Sequence, residues 1–313
     1  SDTGAGKTTQ AGEIADYVME TNQQHSVYYG SLLEHPEPIV PLSKIIIKGK
    51  PLLTMEIMDA GVNPWYWLQK VTEGLVRNEA GEWIKPNWPI GCYIFDGASG
   101  YGEELLKQCA KDAGAGITIG GYKPFSTTVG PEDDQIVVGS NNPSHFGVIQ
   151  SKMFDYMGRS QELPSVYTVW TARPVSTTDT EDIKVLGIKV AGQAISMHVP
   201  AWFSYCFRIE SVTSMNNAPV KRLYLQEHKT GVTTIKMKVK SDRGVPEEKM
   251  VSGGGYEGYG NARYPLHAET KLPLYIEPAD VVKALKLIRS GNQEAEHYYV
   301  NKYQKLGAVV QKG

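Results

Sequence analysis

The sequence predicts an α/β protein whose central sheet is mostly parallel, followed by a C-terminal β-hairpin and helix. Three observations support this class. Predicted strands and helices alternate through about residue 210, which favours a parallel sheet. A Gly-rich loop, SDTGAGKTT, stands directly before a predicted helix at the start of the chain. From residue 219 onward the pattern changes to short alternating runs, which are typical of antiparallel strands.

Hydrophobic spacing assigns the elements of the first part in order. It predicts helices at 9–24, 65–77, 103–113, 146–160 and near 192–199, and strands at 26–33, within 45–57, and at 92–95, 165–172 and 202–209. Residues 114–145 are rich in Gly, Pro, Ser and Asn, and so long an irregular stretch is typical of a functional or mobile loop.

The second part is predicted to contain a hairpin, a flexible segment and a helix. Strands at 221–227 and 233–239 flank the turn Thr230-Gly231, and Pro278 marks the start of a helix at 277–289. The segment 252–260, SGGGYEGYG, has the composition of a linker. We therefore expect a core domain over residues 1–245, and a Gly-rich segment with a helical tail over 246–313.

Composition limits the classes of protein. The 313 residues are 41% hydrophobic and 21% charged, with a net charge of −2. We therefore do not expect a protein that binds DNA over its whole surface. The three cysteines are widely spaced, without the spacing of a disulfide framework or a zinc site, which favours a reducing, cytoplasmic location. Neither a membrane-spanning run nor a signal peptide stands out in the sequence.

The Gly-rich loop predicts a phosphate-binding site at Gly4, Ala5, Gly6, Lys7, Thr8 and Thr9. Its glycines let backbone N–H groups turn toward phosphate oxygens, and the following helix presents its positive end to them. In this motif the lysine binds the β- and γ-phosphates and the hydroxyl after it binds Mg²⁺. The first consensus position carries Ser1 instead of glycine. The other interpretation is a Gly-rich turn before a helix that happens to contain Lys-Thr.

A nucleotide site of this kind also needs a carboxylate at the end of a neighbouring strand. Asp96 follows the apolar run 92–95 and fits that role beside the Mg²⁺ ion, although four apolar residues and an aspartate also occur by chance. Such a loop normally follows a buried strand, so we expect a strand before residue 1.

Hydrolysis requires a group that orients water. Glu34 follows the strand after the loop helix, and it is either that group or a surface residue that opens a loop. Glu103 and Glu104 are weaker candidates, because negative charge also suits the first turn of a helix. Thr171, at the tip of the strand 165–172, either senses the γ-phosphate or is the polar end of a buried strand.

With these residues in this order, residues 1–245 resemble the RecA-like ATPase core. More narrowly, they are similar to phage-encoded AAA-type nucleotide-binding proteins related to the RecA and RadA recombinases, some of which assist single-strand annealing. The segments GIKVAGQA at 187–194 and KMKVKSDRG at 236–244 look like that group as well. Only the phosphate loop is a specific motif. The other segments match that group in the order of their elements along the chain and in composition.

The resemblance implies Mg²⁺-dependent ATP hydrolysis by a self-assembling protein that acts on DNA, most readily single-stranded. It implies catalytic roles for Lys7, Asp96 and the water-activating Glu34, with Thr8 and Asp96 at the metal. Lys240 and Arg243 would reach the ATP of a neighbouring subunit in a ring or filament. The alternative for these two is a hairpin whose outward lysines protect an edge strand.

Other functions stay open at this stage. A nucleotide-binding structural or assembly protein of a virus particle, with little turnover, would carry the same loop. A small-molecule kinase would need a lid with several arginines, and residues 114–145 contain none. The aromatic and basic residues Tyr256, Tyr259 and Arg263 form either a strip that stacks bases or part of a plain linker.

Overall fold

The computed structural model describes residues 6–21, 26–31, 53–59, 61–118, 126–129, 136–139, 143–178, 184–190, 199, 202–213, 219–225, 228–230, 233–235, 238–239, 250–251, 255–256 and 275–289. Within these ranges the helices are α1 (Lys7–Thr21), α2 (Pro64–Thr72), α3 (Ala98–Gly114), α4 (Pro143–Gln161) and α5 (Val281–Arg289).

The strands of the same ranges are mostly short. They are β1 (Ser26–Ser31), β2 (Leu53–Ile57), β3 (Val76–Arg77), β4 (Trp83–Ile84), β5 (Ile90–Asp96), β6 (Ser126–Val129), β7 (Ile136–Gly139), β8 (Tyr167–Thr171), β9 (Pro174–Thr178), β10 (Lys184–Ile188), β11 (Tyr205–Cys206), β12 (Arg208–Thr213), β13 (Pro219–Tyr224), β14 (His228–Thr230), β15 (Thr233–Ile235), β16 (Lys238–Val239), β17 (Met250–Val251), β18 (Gly255–Tyr256) and β19 (Tyr275–Ile276).

A parallel sheet of four strands lies at the centre, in the order β2-β1-β5-β8. Its register pairs Ser31 with Asp96 and Asp96 with Thr171, so three strands end at the same edge. Ligands of open α/β sheets bind at this carboxyl edge. The predicted α/β class with a parallel central sheet is confirmed.

Helices cover both faces of this sheet, because alternate strand residues point to opposite sides. Val27 and Tyr29 of β1 pack with α1 and α5 on one face, whereas Tyr28 packs with α2, α3 and α4 on the other. The largest fully buried side chains include Trp67 and Phe95. Burying such a side chain contributes about 1.5–3 kcal/mol, so these two apolar layers fix the sheet between the helices.

Helix boundaries follow local capping signals. Asn63 caps α2 by accepting a hydrogen bond from the backbone N–H of Trp65 (3.0 Å), and the helix ends before Gly74, which has a φ of 73°. Helix α5 begins at Val281, four residues later than predicted. Asp280, not Pro278, caps it, accepting a hydrogen bond from the Lys283 N–H (2.8 Å).

The predicted hairpin between strands 221–227 and 233–239 is wrong. β13 pairs antiparallel with the preceding β12 and with β19, and the antiparallel partner of β15 is β14. The predicted irregular stretch 114–145 contains the antiparallel pair β6 and β7. Among the described residues no helix is long and apolar enough to cross a membrane.

Helix α5 belongs to the core around α1. Its buried residues Val281, Ala284, Leu285 and Ile288 lie in one cluster with Ile14 of α1. Because Leu285 is 2% exposed, we expect Leu285→Ala to lower the free energy of unfolding by about 2–4 kcal/mol, measured by urea denaturation.

The matched control is Lys283→Ala, an exposed position on the same helix, which should change stability by less than about 0.5 kcal/mol. Equal effects of the two substitutions would contradict the docking of α5 on α1.

Strand β8 lies at one edge of the parallel sheet among the described residues. Beside it lies a groove of about 430 Å³, lined by Ala11 and Ile14 of α1 and also by Trp202 and Phe203. Lys7 lines the same groove. The strand expected before residue 1 stays a prediction.

Candidate functional site

The described part of the predicted phosphate loop forms the start of α1. Gly6 has a φ of 92°, a backbone conformation that favours glycine, and its carbonyl accepts a hydrogen bond from the Gln10 N–H (2.9 Å). Lys7, Thr8 and Thr9 therefore occupy the first turn of the helix, where backbone N–H groups lack partners within the helix and attract anions. Gly4 and Ala5 lie outside the described residues.

Thr8 and Asp96, the two residues predicted to flank a metal ion, are in direct contact. The Thr8 hydroxyl donates to Oδ2 of Asp96 at 2.6 Å, although 88 residues separate them in sequence. Asp96 is the last residue of β5, whose apolar residues are buried between the helical layers. The fold thus brings the phosphate loop and the strand-end carboxylate together.

Two further hydroxyl groups hold the same carboxylate. Tyr29 of β1 donates to Oδ2 of Asp96 at 2.7 Å, and Thr171 at the end of β8 donates to Oδ1. The Thr171 oxygen in turn accepts a hydrogen bond from the Gly97 N–H at 3.0 Å. Both carboxylate oxygens are therefore oriented by side chains from the strands on either side of β5.

Tyr29 acts on Asp96 only as a donor. Burial raises the pKa of the Tyr29 phenol, and the negative charge of Asp96 raises that pKa further. Burial likewise raises the pKa of Tyr101, with a smaller contribution from Asp96. Both phenols therefore keep their protons across the pH range in which proteins are folded.

The chemistry of this donor set fits Mg²⁺. Mg²⁺ prefers oxygen ligands, and in nucleotide sites one or two carboxylates hold it together with phosphates. Thr8 and Asp96 supply a hydroxyl and a carboxylate oxygen 2.6 Å apart, next to the helix start that would bind phosphate.

Glu103 belongs to an ion-pair cluster beside the site. The sequence predicted Glu103 in the first turn of its helix. The helix begins at Ala98, after Gly97 with a φ of 109°, so Glu103 lies beyond that turn. Its carboxylate pairs with Arg173 (2.6 Å) and Lys189 (2.8 Å). Burial alone would raise the pKa of Glu103, but the hydrogen bonds from the two cations outweigh it and lower that pKa. These ion pairs join α3 to the residues that follow β8 and β10.

Several predicted residues lie outside the described part of the chain. They are Glu34, Lys240 and Arg243, as well as Tyr259 and Arg263. Their proposed roles stay predictions.

Sequence reasoning missed Tyr29 and Gln10. Strand alternation places Tyr29 on the same face as Val27 and Ser31, but only the register with β5 shows that its hydroxyl reaches Asp96. Gln10 binds the start of α5, with its amide nitrogen 3.2 Å from the Ala279 carbonyl and its amide oxygen 2.7 Å from the Val281 N–H. No local signal indicates a contact across about 270 residues.

The described residues form an α/β protein in which the start of α1 contacts a carboxylate at the carboxyl edge of a parallel sheet. No known protein family, characterised protein or solved structure matches the chain. The case for its function therefore depends on these contacts and on the sequence motif.

Proposed function

We propose that this protein binds ATP with Mg²⁺ at the start of α1 and hydrolyses it. The observation that carries the proposal is the 2.6 Å hydrogen bond between Thr8 and Asp96. The interpretation as a plain Gly-rich turn does not predict that a strand-end carboxylate 88 residues away contacts the residue after Lys7. In a nucleotide site both groups are needed at that place.

Each side chain has a distinct task in this proposal. Lys7 and the N–H groups of the first turn of α1 bind phosphate oxygens. Thr8 and Asp96 would hold the ion through a hydroxyl and a carboxylate oxygen, and Tyr29 and Thr171 orient that carboxylate. The ion would neutralise charge on the phosphates. Glu34 is the proposed group that orients the attacking water.

The resemblance to RecA-like ATPases extends the proposal to self-assembly and action on DNA. In that arrangement Lys240 and Arg243 of one subunit contact the ATP of the next, so turnover depends on assembly. Single-stranded DNA is the proposed partner, in recombination, annealing or replication in a phage-infected cell.

The test is the ATP turnover of the full chain with Mg²⁺, measured with and without single-stranded DNA. Stimulation by DNA would support the recombination ATPase, and turnover without stimulation would support an ATPase with another partner. Binding of ATP without turnover in either condition would favour the particle-associated assembly protein. Absence of ATP binding would refute the proposal.

Tyr29→Phe is expected to raise the Mg²⁺ concentration needed for half-maximal stabilisation of bound ATP by about tenfold. The substitution removes one of the donors that orient Asp96, and loss of such outer contacts typically costs 10–100-fold in metal affinity. The measurement is a Mg²⁺ titration of the affinity for a fluorescent ATP analogue.

Tyr28→Phe is the matched control. It removes a buried hydroxyl from the neighbouring residue of the same strand, but that hydroxyl donates to the Leu75 carbonyl (2.8 Å) on the other face of the sheet. A similar shift in Mg²⁺ dependence for both variants would refute a specific role for Tyr29.

A further inference from the structure

Lys221 of β13 lies against the phosphate loop. A β-carbon placed on Gly6 would be 2.9 Å from the Lys221 Nζ atom and 3.6 Å from its Cδ atom. Since a carbon–carbon bond spans about 1.5 Å, the ammonium lies within about 4.5 Å of the Gly6 α-carbon. The side chain is otherwise exposed, so it reaches the loop from the solvent side.

The backbone around Lys221 is tied to the loop helix. Lys221 pairs with Ser211 of β12, and its carbonyl accepts a hydrogen bond from the Ala279 N–H (2.8 Å). Gln10 of α1 holds the same segment through the Ala279 carbonyl and the Val281 N–H. These contacts fix the position of β13 relative to the first turn of α1.

The charge of Lys221 has no counter-ion in the described part of the chain, where no carboxylate forms an ion pair with it. The neighbouring Arg222 contrasts with it, since Arg222 pairs with Glu277 (2.6 Å) and lies over the Tyr275 ring (4.4 Å). Lys221 instead places a positive charge beside the start of α1, where the helix dipole is also positive. The two together favour the binding of an anion such as a phosphate group.

We infer that Lys221 is a second phosphate-binding cation of the nucleotide site, contributed by the C-terminal sheet of the same chain. The inference rests on the proposed function and adds to it. Lys221 contacts the phosphates of a nucleoside di- or triphosphate bound at the start of α1. It differs from Lys240 and Arg243, which are proposed to act on a neighbouring subunit's nucleotide.

The experiment measures the affinity of the full chain for a fluorescent ATP analogue in wild type and in the variants Lys221→Gln, Lys221→Arg and Lys7→Ala. We expect Lys221→Gln to weaken binding about ten- to hundredfold, as for loss of a charged hydrogen bond, and Lys221→Arg to retain most of the affinity. The binding deficit of Lys221→Gln should shrink as salt is raised.

Lys283→Gln is the control, because Lys283 is exposed on α5 and pairs with Asp280 (3.7 Å). It should bind as wild type does, and all four variants should have an unchanged melting temperature without nucleotide. Wild-type affinity of Lys221→Gln, with binding lost in Lys7→Ala, would overturn the inference alone. Wild-type affinity of Lys7→Ala would overturn the proposed function and the inference together. A lower melting temperature of Lys221→Gln without nucleotide, with unchanged affinity, would make Lys221 a structural residue and also overturn the inference.

Discussion

Lys7→Ala is expected to weaken ATP binding at least about a hundredfold and to reduce turnover below detection. Lys7 follows Gly6 at the start of α1, where its ammonium would bind phosphate oxygens together with backbone N–H groups. Charged hydrogen bonds of this kind contribute about 1.5–3 kcal/mol each, and one lysine makes more than one of them. Alanine is the best helix former, so α1 should be retained.

The measurement combines isothermal titration with ATP and a steady-state turnover assay. Lys70→Ala is a suitable control, because Lys70 lies on α2 over the Tyr66 ring (5.3 Å), on the other face of the sheet. That variant should bind and turn over ATP as the wild type does. Turnover by Lys7→Ala at the wild-type rate would show that the loop is not a phosphate site.

The central sheet was predictable because its strands carry strong local signals. Apolar runs at β1, β5 and β8 alternate with amphipathic helices, and both patterns depend only on neighbours in sequence. The contact between Thr8 and Asp96 was also predictable. Carboxyl ends of parallel strands meet at one edge, so a strand-end aspartate was expected near a loop at that edge.

The antiparallel part was not predictable in the same way. Pairing partners of short strands depend on long-range packing, and β13 pairs with β12 and β19 instead of the next strand along the chain. The position of Lys221 over Gly6 depends on that pairing and on the contact of Gln10 with the start of α5. Neither contact leaves a periodic signal in the sequence.

The start of α3 shows a smaller limit of sequence reasoning. The first residues of this helix, ASGYG, contain two glycines and lack the apolar spacing of a helix, so the predicted start was residue 103. In the structure the turn at Gly97 and the contacts of Ser99 with the Lys189 carbonyl (2.6 Å) and the Arg173 N–H (2.9 Å) hold the first turn. Tertiary contacts therefore outweigh weak local propensity there.

Asp96→Asn is expected to reduce ATP turnover at least about a thousandfold while retaining binding of ATP in the absence of Mg²⁺. The substitution removes the negative charge that would hold the ion, and stabilisation of charge by a metal is worth several kcal/mol in the transition state. The fold should tolerate it. If the amide nitrogen faces Thr171, that hydroxyl can rotate and accept, while the amide oxygen still accepts from Thr8 and Tyr29.

The role of Asp96 in metal binding is tested by measuring the ATP affinity of wild type and of Asp96→Asn, each with and without Mg²⁺. Wild type should bind ATP more tightly when Mg²⁺ is added, and the variant should not. Asp112→Asn provides the control. Asp112 lies about 20 Å along α3 from the start of that helix at Ala98, and its carboxylate accepts a hydrogen bond from the Gln108 side chain of the same helix (2.5 Å). If Asp96→Asn keeps the Mg²⁺ effect and the turnover, Asp96 serves only to join β5 to α1, and the metal site must be sought among other residues.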